Sequence, residues 1–391
     1  MLLSSGQHGP VPVVVLQPTH GSKEERALKT DASTGSFRLW CVSILELVQK
    51  YLRRPFTLSC SLSPGVLVLV IVIVIVAVTL HSNSSKSEDT TSSDSGGNST
   101  SATSASTLPS SCSPVAAKDR TVAFWQSEVA GCDSVPDGVT HIVFGFALVS
   151  DGVIVPTFQS SDATISECVE KLHERCILAM GSIGGSTNNE NMSAVRNSTL
   201  FAESAVVLMT KFGFDGLDLD DETVGAEFSA DRMVGMLKAT REALDASGST
   251  SALLTYDAYF YEGDTSVCSA ADRAAYSRCF PSEVLDYVDW VNIMAYNVNL
   301  DNDTAAAIYA AAESTTFAAW GTQFGGNYSL ATIGLCVGGG CAYGPGPNAT
   351  VIAEWEAFGR QEGHGGMMIY SASAEVGGDY PVTRSIVSTT A

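Results

Sequence analysis

From residue 118 onward the chain alternates short apolar, β-rich runs with stretches whose apolar residues recur at helical spacing. The runs fall at residues 121–126, 141–149, 176–185, 216–222, 252–259, 288–297, 330–338 and 366–373, with helical periodicity clearest over 201–212 and 230–246. Strands that are nearly continuous in apolar residues and alternate with helices belong to a parallel sheet covered on both faces. Eight such units favour closure over an open sheet. The pattern therefore predicts an α/β fold of the (β/α)8 TIM barrel type, for which residues 118–391 have the usual length, roughly 250. No short internal repeat points to a solenoid instead.

The first 117 residues read differently. Residues 66–80 are an uncharged apolar run, and no Asp, Glu, Lys or Arg occurs between Arg54 and Lys86. With the mildly apolar residues from 58 onward it reaches the roughly 20 residues that a membrane-spanning helix needs. Lys50, Arg53 and Arg54 precede it, whereas Lys86 follows with Glu88 and Asp89 beside it. The positive-inside rule then places residues 1–57 in the cytoplasm as an N-terminal arm and everything after residue 80 outside or in a lumen. That is the topology of a single-pass type II membrane protein with a signal-anchor helix over 58–80. Residues 81–117, dominated by Ser and Thr, predict a disordered stalk. Seven Asn-x-Ser/Thr sequons, at Asn83, Asn98, Asn191, Asn197, Asn302, Asn327 and Asn348, all lie beyond the span and mark the chain as a candidate glycoprotein. Eight of the ten cysteines also lie beyond it, which suggests disulfides, with Cys168–Cys176, Cys268–Cys279 and Cys336–Cys341 as candidate local loops.

Charge narrows the range of partners. Residues 1–80 hold seven basic and four acidic residues, leaving 14 basic and 38 acidic beyond them, a formal charge near −24. Such a field repels phosphate backbones and disfavours nucleic acid, whereas a neutral sugar polymer meets no such barrier. A metal site is not indicated, because no Cys-x-x-Cys pair occurs and no His stands at ligand spacing.

The most informative segment is Asp215-Gly-Leu-Asp-Leu-Asp-Asp-Glu222. Asp218, Asp220 and Glu222 are spaced by two, so on a strand they share a face, and in a barrel that face is the interior. Leu217 and Leu219 then point outward to the helix layer. Active sites form at the C-terminal ends of barrel strands. Carboxyls crowded there repel one another and are desolvated, which raises at least one pKa and creates the condition for a general acid. A calcium loop of the EF-hand type is excluded by spacing, since the required Gly and terminal Glu are absent.

This segment resembles the Asp-Gly-x-Asp-x-Asp-x-Glu signature of glycoside hydrolase family 18, the chitinases and their relatives. Three weaker segments fit in order: Ser182-Ile-Gly184-Gly185, Met294-Ala-Tyr296-Asn297 and Gly365-Gly-Met-Met-Ile-Tyr370. The resemblance implies a substrate-assisted, retaining hydrolysis of β-1,4-linked N-acetylglucosamine, one of the exceptions to the scheme of two protein carboxylates. Glu222 would be the general acid and base. Asp220 would orient the sugar's acetamido group, backed by Asp218 and the Tyr296 hydroxyl. Phe124, Trp125 and Tyr370 at strand ends are candidate sugar platforms, and Ser182, Gly184, Gly185, Met294 and Asn297 complete the expected substrate-binding set. No cofactor is implied. Three positions depart from the family pattern. Asp221 stands where an aromatic residue is common, and Asp-Asp-Glu there is similar to the bacterial endo-β-N-acetylglucosaminidases. Asn297 replaces an Asp, and Tyr370 replaces a Trp. The expected activity is chitin or chitooligosaccharide hydrolysis. Cleavage of N-glycan cores and non-catalytic chitin binding are the two alternatives.

Overall fold

The computed structural model describes residues 108–126, 131–263 and 278–388. The arm, the candidate span at 58–80, most of the stalk and Cys268 lie outside the described residues. Among those described, no helix is long and apolar enough to cross a membrane.

Nine strands form one sheet: β1 (Thr121–Trp125), β2 (His141–Ser150), β3 (Val153–Pro156), β4 (Leu178–Gly184), β5 (Gly216–Asp220), β6 (Leu253–Tyr259), β7 (Trp290–Met294), β8 (Ala331–Cys336) and β9 (Met367–Tyr370). Eight of them pair in parallel, and the β1–β2 and β1–β9 pairings close the ring. The barrel is thus an eight-stranded parallel barrel, with each predicted run contributing one strand. The ninth strand, β3, folds back antiparallel on the end of β2 through the two-residue turn Asp151–Gly152. Both turn residues have positive φ, 51° and 79°. That is the geometry of the turns that match the twist of paired strands, and Asp-Gly suits it.

Alternation along the strands sorts side chains into two cores. Val122, Phe124, Val143, Met180, Trp290, Met294 and Met368 fill the barrel interior. Ala123, Trp125, Ile142, Phe144, Ile183, Leu217, Leu219, Leu254 and Ile333 face the surrounding layer. The helices Ser198–Phe212 and Ala230–Ala246 occupy the predicted helical stretches. Their N-caps are supplied by Asn197, which accepts from the Thr199 and Leu200 amides, and Ser229, which accepts from the Arg232 amide. Among the described residues, the β1–β2 connection contains only the short turn Cys132–Ser134 in place of a full helix. The Cys132–Cys168 disulfide fastens that connection to the helix Asp162–Glu174.

The disulfides correct part of the sequence expectation. Cys336–Cys341 is formed, but Cys176 pairs with Cys112 and Cys168 with Cys132. Cys168 lies within a helix and Cys176 just beyond its end. Six residues of helical rise carry the chain about 9 Å from Cys168 to the helix end at Glu174, already beyond the 4.4–6.8 Å Cα spacing that a disulfide tolerates. Cys279 carries no disulfide. Cys112, predicted to lie in the stalk, is therefore bonded to the barrel domain.

The N-terminal end of the barrel is closed by Arg120. Its guanidinium lies 4.1 Å from the Trp290 ring centroid and donates to the Gly365 carbonyl and Thr332 hydroxyl. Burial lowers its pKa to about 10, although Asp289 works in the opposite sense. Beside it His141 meets the Trp290 ring edge-on and is buried. Burial and the adjacent Arg120 charge hold its pKa down at about 3, so the imidazole is neutral.

Candidate active site

The opposite end of the barrel is lined by acids. Asp218 and Asp220 project inward from β5, and Glu222 follows two residues past its last residue. Asp218 is fully buried, accepting from Ser182 Oγ on β4 at 2.7 Å and from Thr255 Oγ1 on β6 at 2.5 Å. Burial raises its pKa, and these hydrogen bonds offset only part of the rise. Asp220 is raised further above the ordinary carboxyl range, by burial and then by the negative charges of Glu222 and Asp218. Its Oδ1 is buried, and no described residue donates a hydrogen bond to it. An acceptor left bare at such a site suits a ligand donor.

Glu222 is held from the β6 side. Tyr259 OH donates to Glu222 Oε2 at 2.8 Å. Burial pushes the Glu222 pKa up, while the Tyr259 hydrogen bond and the nearby Arg278 cation oppose the rise. The result is a carboxyl that keeps its proton above the usual range yet remains partly exposed at the cleft.

Arg278 organises the turn that carries Glu222. Only 1% exposed, it pairs through Nε with Glu262 Oε1 at 2.6 Å. It donates to the main-chain carbonyls of Asp221 at 2.6 Å and Thr223 at 2.8 Å, and also to the Tyr256 hydroxyl. Glu222 lies between those two carbonyls, so the guanidinium fixes the backbone on either side of it. Burial alone would lower the Arg278 pKa, but Glu262 and the surrounding oxygens outweigh it, so the net direction is up.

Glycine is required where β4 ends. Gly184 has φ 119°, and a Cβ there would strike the Asp220 carbonyl. The close approach lets the Gly185 amide donate to that carbonyl at 2.9 Å. On the far side of the mouth, Tyr296 and Tyr370 stack with ring centroids 5.8 Å apart and planes 2° apart. Phe124 meets Tyr370 edge-on at 5.9 Å.

The sequence relationship agrees with this geometry. The profile of Glycosyl hydrolases family 18 matches residues 120–337, more than half of the chain. The chain belongs to glycosyl hydrolase family 18. It is 34% identical over 142 residues to Endochitinase 1 of Metarhizium anisopliae, covering 33% of this chain and 31% of that protein. It is 30% identical over 186 residues to Chitinase 1 of Aphanocladium album, covering 41% of this chain and 42% of that protein. The chain thus spans about a third to two fifths of the length of these curated relatives. Among solved structures it resembles a plant class V chitinase mutant from Cycas revoluta in complex with (GlcNAc)3, with TM-score 0.56 and 18% identity. That match covers 69% of this chain and 99% of the other. A family 18 chitinase from Pseudoalteromonas aurantia gives TM-score 0.56 at 16% identity, covering 70% of this chain and 100% of that one. These two likenesses concern the fold.

Within this family 18 barrel, Asp218, Asp220, Glu222, Tyr296 and Tyr370 converge on one mouth. Ser182 is fully buried, and its hydroxyl is committed to Asp218. Gly184 and Gly185 act through the backbone, and Met294 and Phe124 pack in the interior. Asn297, at φ 56°, accepts from the Tyr343 amide through Oδ1 at 2.9 Å and so pins the loop after β8. Trp125 requires a correction. Adjacent strand residues face opposite ways, so with Phe124 inside, Trp125 lies in the outer layer against Tyr380, 2% exposed and away from the mouth. Asp221 also turns outward. It is buried, accepts from the Thr223 amide at 3.0 Å and meets Arg232 at 3.5 Å. Tyr259, Arg278 and Asp257 were absent from the sequence-based set. For Tyr259 and Asp257 the available signal was parity, since both share a face with Thr255 on the run 252–259.

Proposed function

We propose that this chain hydrolyses β-1,4-linked N-acetylglucosamine polymers by a substrate-assisted, retaining route. The observation that carries this reading is the division of labour inside the mouth. Glu222 is a proton-retaining carboxyl held by Tyr259, and beside it Asp220 presents a buried oxygen without a described donor. Glu222 gives its proton to the glycosidic oxygen as the bond to the anomeric carbon breaks. The acetamido carbonyl oxygen of the cleaved sugar closes on that carbon. Its N–H donates to Asp220 Oδ1, which increases the electron density on the attacking oxygen. Glu222, now a carboxylate, takes a proton from water as water opens the cyclic intermediate, and the acid is regenerated. Buried donors and acceptors aimed at developing charge supply the main stabilisation in such a site.

The tyrosine pair Tyr296–Tyr370 forms an aromatic wall beside the carboxyls, in keeping with a sugar ligand. The (GlcNAc)3 bound by the Cycas revoluta structure and the chitinase names of the relatives support the substrate class. The full-length chain is expected to release shorter sugars from chitooligosaccharides, with Glu222→Gln binding them but not turning over. Binding without product in the wild type would overturn the hydrolase reading in favour of a lectin. Release of glycans from a high-mannose glycoprotein, with no cleavage of chitin oligomers, would move the substrate to N-glycan cores.

The same proposal includes a type II anchor. Its support is the apolar run 66–80 with basic residues before it and acidic residues after it. The five described sequons, at Asn191, Asn197, Asn302, Asn327 and Asn348, are all exposed, as acceptors for N-glycans must be. Extraction at alkaline pH tests the anchor: release of the full chain into the soluble fraction would exclude it.

A further inference from the structure

One buried carboxyl in the barrel has no part in the scheme above. Asp257 points inward from β6 and is 3% exposed. Its Oδ1 accepts from Asn292 Nδ2 on β7 at 2.8 Å. Its carboxyl also lies within hydrogen-bonding reach of that of Asp218. Two carboxyls can share a hydrogen bond only if one of them carries a proton. The surroundings of the two differ sharply. Asp218 already accepts from two hydroxyls, Ser182 and Thr255, and a carboxylate with several donors tolerates charge. Asp257 accepts from a single neutral amide. The charged and titratable groups that face it are Asp218 and Asp220 from β5, Tyr296 beyond β7 and Tyr370 at the end of β9, and none of these is a cation.

We propose that Asp257 is a positioning residue that keeps its proton and donates it to Asp218, so that the negative charge of the cluster resides on Asp218. The pKa directions agree. Burial and then the charges of Asp218 and Asp220 drive Asp257 well above the carboxyl range, whereas Asp218, also raised by burial, is pulled part of the way back by its hydrogen bonds with Thr255, Ser182 and Asp257. A charge fixed on Asp218 in turn favours protons on Asp220, which faces it. Asp257 thus acts at one remove, leaving Glu222 the proton it must deliver. This inference rests on the hydrolase reading for its kinetic consequence but not for its protonation state.

The test compares Asp257→Asn with Asp257→Leu in the full chain. Asparagine keeps both functions, since its oxygen can accept from Asn292 and its amide can donate to Asp218. Asp257→Asn is expected to retain kcat on chitooligosaccharides to within about threefold, with the pH profile of the wild type. Asp257→Leu removes a hydrogen bond to a charged group, for which a loss of about 10-fold or more is expected. With that donor gone Asp218 takes up a proton, the charge moves to Asp220 or Glu222, and the alkaline limb shifts to lower pH. A purely structural role would lower Tm in Asp257→Leu and leave the profile in place, which overturns the proposal. Asp257→Asn matching Asp257→Leu overturns it as well.

A second readout needs no turnover. A carboxyl whose folded pKa is raised stabilises the fold below its unfolded pKa, near 4, and loses that contribution as pH rises toward the folded value. The Tm of Asp257→Asn is therefore expected to gain on the wild type as pH rises above about 4. A constant difference means that Asp257 is ionised in the fold and refutes the inference. A wild type without turnover but with the rising Tm difference would refute the hydrolase reading alone.

Discussion

The two ends of the barrel interior solve opposite electrostatic problems. At the N-terminal end one cation, Arg120, is half-buried against Trp290 and donates to neutral oxygens, next to a neutral His141. At the C-terminal end four carboxyls, Asp218, Asp220, Glu222 and Asp257, crowd around one cleft, with Arg278 behind them. Arg120 has its pKa pulled down by burial, whereas Arg278, ion-paired with Glu262, has its own pushed up. The lesson is that a buried charge serves as a plug where its partners are neutral, and as a brace where a counter-charge is buried with it.

The contrast can be broken most directly through activity. Glu222→Gln is expected to lower kcat about 1,000-fold, within the range that general acid–base catalysis supplies. Arg120→Met at the other end should leave kcat within about threefold, because its hydrogen bonds lie far from the chemistry. Comparable losses in the two variants, measured on the same chitooligosaccharide, would erase the functional distinction between the ends.

Stability gives the next test. Arg278→Met leaves Glu262 buried without its cation and should cost about 3–5 kcal/mol in denaturant unfolding. Arg120→Met strands only neutral acceptors, at about 1–3 kcal/mol. Equal costs would show that the buried counter-charge makes no difference.

The ends should also differ in the sign of their pH dependence. His141 has a folded pKa of about 3 against 6.5 when free, so its contribution is present above 6.5 and is lost as pH falls toward 3. His141→Asn is therefore expected to flatten the acid side of the Tm profile. The acid cluster, with raised pKa values, works in the other direction and weakens the fold as pH rises above about 4.

The finest adjustment concerns Tyr259. Its hydrogen bond lowers the Glu222 pKa, so Tyr259→Phe should raise it and carry the alkaline limb of kcat to higher pH. The accompanying loss of rate should stay below about tenfold. A limb that moves down, or does not move, would mean that Tyr259 packs beside Glu222 without tuning it.

Much of this arrangement was legible in the sequence, for identifiable reasons. The eight barrel strands were visible because each is an apolar run between polar connections. The spacing of Asp218, Asp220 and Glu222 by two placed them on one side. The hairpin β2–β3 was missed although Asp151-Gly152 is a strong turn signal between two β-rich runs. Trp125 adjoins Phe124 at a strand end, and the alternation that strands impose sends the two to opposite faces, so they cannot both line the mouth. Asp221, whose presence cast doubt on the substrate, is explained by Arg232, eleven residues later on a helix that only the fold brings to it. Arg278 lies outside the strands, and only the fold brings Glu262 and the Asp221 and Thr223 carbonyls to it. The face of Asp257 was open to the same parity reading, but its partners depend on which strands lie side by side. That register is set by the closed sheet, and no local pattern encodes it.

Trp290 bears on the cleft from the other end of the barrel. Its indole N–H donates to Asn292 Oδ1 at 2.9 Å, and Asn292 Nδ2 donates onward to Asp257. An indole can donate but never accept, so it dictates which way the Asn292 amide is turned. Asp257 Oδ1 must then accept, and with the protonation proposed above only its other oxygen can offer the proton to Asp218. The chain of donors consequently runs in a single direction, and its sense at the carboxyls is imposed by a tryptophan at the floor of the barrel.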